Sequence, residues 1–462
     1  PVSFSGAITP EALPQLEPEA VRFDEAVAKL KALGFEVTTQ GRYSISARCP
    51  RPVYERVFGT KLSRFKLPFT AGESRQANAF FFPGDDAAWN PMADLSAVID
   101  DAYIQWPHIY MNSRFPGPTS ALPPSVRYHH LRVPGDVTML LNADVAHRDG
   151  ITGRGIKVAM IDSGFAMSHA YFQERGYTLQ TVLAPGATDV DLDGNGHGTA
   201  EAANLLALAP DVDFTGVKLD NEIMPGDGAT ILEGLQTAMQ HDPQVISVSL
   251  GYDLCERISN THFTSLPNSL KALEVELKAI AASGVIVVFA AGNGHVAFPG
   301  MMPDVIAAGG VYVAEDGAMR ASDYASAFPS AIYSERAVPD VCGLVGLAEN
   351  GANYIMLPLQ PGCEIDRQNS DSTGTNDGWA VISGTSAAAP QLAGVIALLL
   401  QKNPGLTASD IKAVFDRTSR DVVAGNASAA SSETGLGLQA GPGRDGATGP
   451  GLVDVGAALA EV

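Results

Sequence analysis

Ser386 lies in Ser383-Gly384-Thr385-Ser386-Ala387-Ala388-Ala389-Pro390, small residues that lead into the apolar run 391–400 (QLAGVIALLL). Such a run reads as a helix buried in a large core. A serine in its first turn sits among backbone N–H groups, where developing negative charge is favoured. A lone Ser-Ala-Ala is more often a simple helix cap. To act as a nucleophile, Ser386 needs a base, a carboxylate that orients the base, and a donor for an oxyanion. Asp162 ends the apolar run IKVAMI, His197 stands between two glycines in Asn195-Gly196-His197-Gly198-Thr199, and Asn293 follows Ala290-Ala291-Gly292. Taken singly, each is an ordinary turn residue. Together they supply a complete set. Ser386 attacks a carbonyl carbon, and neutral His197 takes the hydroxyl proton and returns it to the leaving group. Asp162 fixes the imidazole tautomer. The Asn293 amide and the Ser386 N–H hold the oxyanion, the amide alone contributing roughly 3–4 kcal/mol.

The elements that carry these residues alternate. Strands are expected over 156–161, 214–219, 245–250 and 285–290, and helices over 200–208, 229–240 and 270–282. This order implies an α/β fold, a parallel sheet with helices on both faces, and ligands bind at the carboxyl edge of such sheets. Residues 1–110 read as a separate small α+β unit. Its expected helices are 18–33, stopped by Gly34, and 51–58; its strands are 2–8, 35–39, 43–49, 61–67 and 80–83. The two are joined by a proline-rich segment, 111–135, within a stretch from Trp106 that carries Pro107, Pro116, Pro118, Pro123, Pro124 and Pro134. It reads as an exposed linker open to proteolysis. The main domain is 136–462.

Bulk properties narrow the class. The chain has 462 residues, 45% of them hydrophobic, enough for a large core. The net charge of −21 argues against nucleic acid or anionic membrane as partner. No stretch reaches the roughly 18 apolar residues of a membrane span, and no signal peptide is recognisable. Four cysteines, Cys49, Cys255, Cys342 and Cys363, form no CxxC pair, which disfavours zinc. Cys342 and Cys363 are either a loop-closing disulfide or two unrelated buried thiols.

Residues from about 150 to 460 resemble the subtilisin-like serine peptidases (subtilases). The matching segments are Met160-Ile161-Asp162-Ser163-Gly164, Gly196-His197-Gly198-Thr199, Ser249-Leu250-Gly251, Ala290-Ala291-Gly292-Asn293 and Gly384-Thr385-Ser386-Ala387-Ala388-Ala389-Pro390. The order Asp, His, Ser is that family's order. The resemblance implies a serine endopeptidase acting on polypeptides. It also implies that Ser249, Leu250 and Gly251 on one side and Ala290, Ala291 and Gly292 on the other pair with substrate backbone. Phe298-Pro299-Gly300 resembles the family's aromatic-Pro-Gly segment, often cis, with Ala297 lining a primary pocket suited to medium or large apolar side chains. Ala200 stands where the family usually has a second histidine. The acidic run Asp189-Val190-Asp191-Leu192-Asp193-Gly194 mimics the start of an EF-hand loop without its closing glutamate and reads as an acidic rim near His197.

Both ends resemble the sedolisins, relatives that share the subtilisin fold. Leu33-Gly34-Phe35-Glu36-Val37, Tyr43-Ser44-Ile45-Ser46-Ala47 and Val57-Phe58-Gly59-Thr60-Lys61-Leu62 are similar to their activation domains. Such domains assist folding and inhibit in cis through a C-terminal strand laid across the cleft; a permanent accessory domain is the plain alternative. The stretches 420–426 and 440–445 resemble the sedolisin calcium site. Its implied ligands here are the carboxylates of Asp421 and Asp445 and the carbonyls of Val422, Gly441 and Gly443, all hard oxygen donors. The sedolisin acid pair is missing, since the helix expected at 229–240 offers only Glu233 and Asn293 is not aspartate. The expectation is therefore a secreted, monomeric proenzyme that cleaves itself within about 107–136, with activity that falls below the ordinary histidine pKa near 6.5. A dedicated maturation protease and an idle regulatory relative are the alternatives.

Overall fold

The computed structural model describes residues 13–65, 80–83, 91–100, 102–106, 108–110, 130–177, 179–223, 228–256, 261–348, 352–368, 373–428 and 437–462. The expected strand at 2–8 and most of the segment 111–135 lie outside them.

Apolar runs such as Val245–Val248 have no polar face to give to water, so they fold as strands covered on both sides. Eight strands form the main sheet. Seven of them run in the order Met319–Ala321, Ile306–Val313, Ile286–Ala290, Val245–Val248, Lys157–Asp162, Asp213–Lys218, Leu179–Leu183, and Val341–Leu344 also pairs with Ile306–Val313. Only Met319–Ala321 is antiparallel. The strand Lys157–Asp162 lies between Val245–Val248 and Asp213–Lys218 in this order, and its last residue is Asp162. Two helices, His197–Leu208 and Thr385–Lys402, pack together in the larger core. Helices Ile231–Ala238 and Lys271–Ala282 belong to the opposite layer.

Thr385–Lys402 is buried from Thr385 to Leu400. Each of its leucines taken from water contributes about 1.5–3 kcal/mol. Pro390 has no N–H for the carbonyl of Ser386 one turn earlier. Ser249 Oγ donates to that carbonyl instead, at 2.8 Å. Gly394 lets the two helices touch, since a Cβ there would lie 2.8 Å from the Leu205 carbonyl oxygen.

In the N-terminal unit, helix Ala20–Leu33 ends at Gly34 with φ 99°, and helix Arg51–Phe58 follows. Leu30, Phe35, Tyr54, Val57, Phe58, Leu62 and Leu95 form a separate small core. Among the described residues the strands make two antiparallel pairs, Glu36–Gln40 with Ile45–Arg48 and Leu62–Phe65 with Phe80–Pro83. The first pair lies on helix Ile231–Ala238. Thr38 Oγ1 donates to Glu233 Oε1 at 2.5 Å, and Arg48 donates to the carbonyls of Pro185 and Gly228 at 2.7 and 3.1 Å. Glu233, the acid noted on this helix, caps it in a capping box with Thr230.

Within the span expected as linker, Leu131–Arg132 pairs with Ile355–Met356 and helix Gly135–Leu140 follows. Just before that span, Ile109–Tyr110 pairs with Leu250 and Gly251. A two-residue strand finds its partner through the fold, and nothing local in a proline-rich stretch announces it.

Candidate active site

The strand Lys157–Asp162 delivers Asp162 to the carboxyl edge of the sheet, and the helix that begins at His197 starts beside it, after helix Ala170–Arg175, strand Leu179–Leu183 and the acidic loop. Both side chains are fully buried. His197 Nδ1–H donates to Asp162 Oδ1 at 2.7 Å, and the same oxygen accepts from Ser163 N at 2.7 Å. This approach requires glycine at 198, where a Cβ would meet the Gly164 carbonyl oxygen at 2.3 Å and Asp162 Cβ at 2.9 Å.

The buried carboxylate of Asp193 organises the start of the His197 helix. It accepts from Gly196 N and Thr199 N at 2.9 Å, Ser163 Oγ at 2.8 Å and Thr199 Oγ1 at 2.6 Å. A helix N-terminus favours an anion in this position. The rest of the acidic run closes on an internal cation. Lys218 Nζ, fully buried, donates to the carbonyls of Asp189 and Leu192 at 2.8 and 2.6 Å and to Glu222 Oε1 at 2.7 Å. The EF-hand-like loop is thus filled by an ammonium group.

Ser386 is the second residue of helix Thr385–Lys402, so its backbone N–H points out of the helix's first turn. Its Oγ lies 3.4 Å from the Ser249 carbonyl oxygen. Asn293 is tied to the same turn, because its Oδ1 accepts from Thr385 N at 2.9 Å and from Thr385 Oγ1 at 3.1 Å. That fixes the amide with oxygen towards the helix and Nδ2 as its donor end. Gly292 N donates to Thr385 Oγ1 at 3.0 Å, which joins Ala290-Ala291-Gly292 to the Ser386 turn. Ala291 N is paired with Ala308 O at 3.0 Å.

The charge state of His197 differs from the expectation. Burial pushes the imidazole pKa down, but the Asp162 carboxylate, with Glu201 and Asp193, more than offsets this and raises it to about 9. Glu201 was not among the candidate residues. It stands one helical turn after His197, its Oε1 4.0 Å from His197 Nε2. An acid inside the otherwise apolar face of an alanine-rich helix was the available signal.

Leu250 and Gly251, expected to pair with substrate, pair antiparallel with Tyr110 and Ile109 of the chain itself. His108, next to this strand, has its pKa lowered to about 4 by burial, within electrostatic reach of Asp162. Ala297 is fully buried and pairs with Asp253, and the Phe298–Pro299 peptide bond is cis.

At the C-terminal end, Gly443 N donates to Asp421 Oδ2 at 3.0 Å and Gly441 N to Asp445 Oδ2 at 2.8 Å. Asp445 Oδ1 accepts from Ala447 N and Thr448 N at 2.7 and 2.8 Å. The loop 441–445 and the 421–422 segment therefore meet, with Val422 buried beneath. All four cysteines are free thiols. Cys342 Sγ faces the Thr448 carbonyl oxygen at 3.4 Å, and Cys363 lies under Gly196, so the pair is two unrelated buried thiols.

Comparison with known proteins bears on this arrangement. The subtilase family model (peptidase S8) matches residues 153–437. The chain is 30% identical over 276 residues to alkaline elastase YaB of a Bacillus species, which covers 57% of this chain and 59% of that protein. It is 28% identical over 282 residues to subtilisin DY of Bacillus licheniformis, covering 59% of this chain and 86% of that protein. The crystal structure of fervidolysin from Fervidobacterium pennivorans, described as a keratinolytic enzyme related to subtilisin, superposes with TM-score 0.58 at 19% identity. That match covers 96% of this chain and 60% of fervidolysin, so the chain spans less than two thirds of fervidolysin and of the elastase. With more than half its length matched by the family model, the chain belongs to the subtilase family.

Proposed function

We propose that the chain is the proenzyme of a serine endopeptidase in which Ser386 is the nucleophile, His197 the base, Asp162 its orienting carboxylate and Asn293 an oxyanion donor. The observation that carries this reading is the buried 2.7 Å bond between His197 and Asp162 at the sheet edge where Asn293 is tied to the Ser386 turn. Ser386 Oγ bonds to the substrate carbonyl carbon as its proton passes to His197 Nε2, and the oxyanion lies against Asn293 Nδ2 and Ser386 N–H. The C–N bond then breaks and the leaving amine takes the proton from His197. Water repeats the sequence on the acyl-enzyme and restores Ser386. Ser249-Leu250-Gly251 and Ala290-Ala291-Gly292 hold the substrate backbone, and Ala297 leaves room for an apolar side chain in the primary pocket.

The N-terminal unit acts in this reading as an intramolecular inhibitor, removed by self-cleavage within about 107–136. The pairing of Ile109–Tyr110 with Leu250 and Gly251 supports it, since the chain then uses the backbone positions a substrate needs. The contacts of Thr38 and Arg48 with the main domain support it too. Asp421, Asp445 and the carbonyls of Val422, Gly441 and Gly443 would hold a calcium ion, whose role when bound is to cross-link two segments remote from the reaction. The convergence of these segments and the all-oxygen donor set fit such an ion. Among the described residues no helix is long and apolar enough to cross a membrane, and the reading takes the enzyme as a monomer released from the cell.

The test compares wild type with Ser386→Ala. Wild type shortens by about the N-terminal unit and is labelled by a fluorophosphonate, and Ser386→Ala does neither. If wild type is neither processed nor labelled, the protease reading fails.

A further inference from the structure

The imidazole of His197 has a carboxyl group at each of its nitrogens. Asp162 takes Nδ1 at 2.7 Å, and Glu201, four residues along the same helix, approaches Nε2 at 4.0 Å. The second approach is not a surface accident. Glu201 is 1% exposed, and an acid so placed needs support. Its Oε2 accepts from Asn204 Nδ2 at 2.9 Å, and Asn204 Oδ1 accepts in turn from Gln391 Nε2 at 3.2 Å. Gln391 is clamped by Leu344, accepting its N–H at 2.8 Å and donating to its carbonyl at 3.1 Å. A buried chain of two amides therefore holds the Glu201 carboxyl from behind and ties the His197 helix to the Ser386 helix.

We infer that Glu201 is a positioning residue that stabilises the imidazolium of His197 from the Nε2 side, so that two carboxyl groups set the pH at which the neutral base becomes available. The inference rests on His197 being the base of the proposed reaction. The other charged groups near the imidazole are engaged differently. Asp193, from the preceding loop, spends its oxygens on three donors of the helix start and on Ser163 Oγ. His108, from the segment beside Ile109–Tyr110, interacts with Asp162. On the far side of Glu201, the phenol of Tyr324 donates to the Val345 carbonyl oxygen at 2.6 Å and senses the Glu201 charge. Glu201 is thus a second carboxyl group, besides Asp162, that approaches a ring nitrogen of His197. Burial pushes its own pKa up to about 7 while His197 pulls it down, as expected of two groups that share a proton range. Once ionised, Glu201 holds the proton on His197 to higher pH.

The experiment is a direct titration. Full-length Ser386→Ala and Ser386→Ala with Glu201→Gln are compared by 15N NMR of the His197 ring; glutamine keeps the acceptor for Asn204 and removes the charge. The expected result is a His197 pKa lower by roughly 1–3 units in the Glu201→Gln chain, the usual effect of a charge within about 4–6 Å. Glu201→Asp, with the charge kept but drawn back by one methylene, falls between. In the active enzyme, the acid limb of kcat/KM moves down by the same amount in Glu201→Gln. An unmoved His197 pKa overturns the inference, whatever the activity. An acid limb that stays in place while kcat/KM drops evenly makes Glu201 a packing residue and also overturns it. If wild type lacks Ser386-dependent activity, the proposed function fails by itself and the NMR titration still decides for or against Glu201.

Discussion

Replacing Asn293 by leucine tests the oxyanion assignment, because leucine keeps the shape and removes both amide functions. Two effects separate. The donor end of Asn293 acts only when negative charge develops, so its loss lowers kcat by about 10²–10³, or roughly 2.7–4 kcal/mol of transition-state stabilisation. The acceptor end holds the Ser386 turn through Thr385 N at 2.9 Å, and Thr385 is fully buried. Its loss strands that N–H and costs about 1–3 kcal/mol of folding stability. The assay is steady-state kinetics on a chromogenic peptide anilide, with thermal unfolding of the same preparations. KM should change little, because the ground-state carbonyl makes little demand on the donor. Asn293→Asp, which keeps the acceptor for Thr385 N and offers no amide donor, should recover stability without recovering kcat. A kcat within tenfold of wild type, or a loss that falls wholly in KM, would refute the assignment.

Four further outcomes follow. The acid limb of the pH–rate profile should lie above 6.5, because the Asp162 and Glu201 carboxylates hold the folded pKa of His197 above its ordinary value, and a limb at or below 6.5 would contradict this. The sign is the same for stability: the Asp162–His197 pair stabilises fully below about 6.5, and its contribution is lost as pH rises through about 9, as pH-dependent unfolding would record. Gly198→Ala should keep the far-ultraviolet circular dichroism and lose at least about 10²-fold in kcat, since its Cβ would stand 2.3 Å from the Gly164 carbonyl and drive His197 from Asp162. Calcium chelation should lower the thermal midpoint of wild type but not of Asp445→Ala, and an unchanged wild-type midpoint would remove the metal from the reading.

The parallel sheet and the Asp162, His197, Asn293 and Ser386 positions were legible because each rests on a local pattern. Apolar runs end in an acid or a glycine turn, and an apolar helix follows a small-residue start. What stayed hidden depended on neighbours distant in sequence. The ordinary pKa of 6.5 was expected for His197 because the converging carboxylates become neighbours only in the fold. The strand Ile109–Tyr110 has only two residues and takes its identity from Leu250 and Gly251, some 140 positions later. Glu201 lay in plain view, but a lone glutamate on a helix is usually a solvated face, and only burial against Asn204 and Gln391 distinguishes it. The cysteine alternative resolved towards separate thiols because Cys342 sits in the buried strand Val341–Leu344 and Cys363 under the Gly196 loop.

Lys218 carries one more implication. A loop closed by a dissociable ion is only as firm as the surrounding medium allows, and it loosens when that ion is diluted or sequestered. The ammonium that closes the 189–194 loop is covalently part of the chain, so its effective concentration there is fixed by the backbone. The loop leads directly to Asp193 and the start of the His197 helix. On the proposed reading, the geometry of the base is thereby insulated from the ionic composition of the surroundings, and the proposed calcium would act only at the C-terminal loop. If the proposed calcium site holds, removing the metal would lower stability without first disturbing the Asp162–His197 pair.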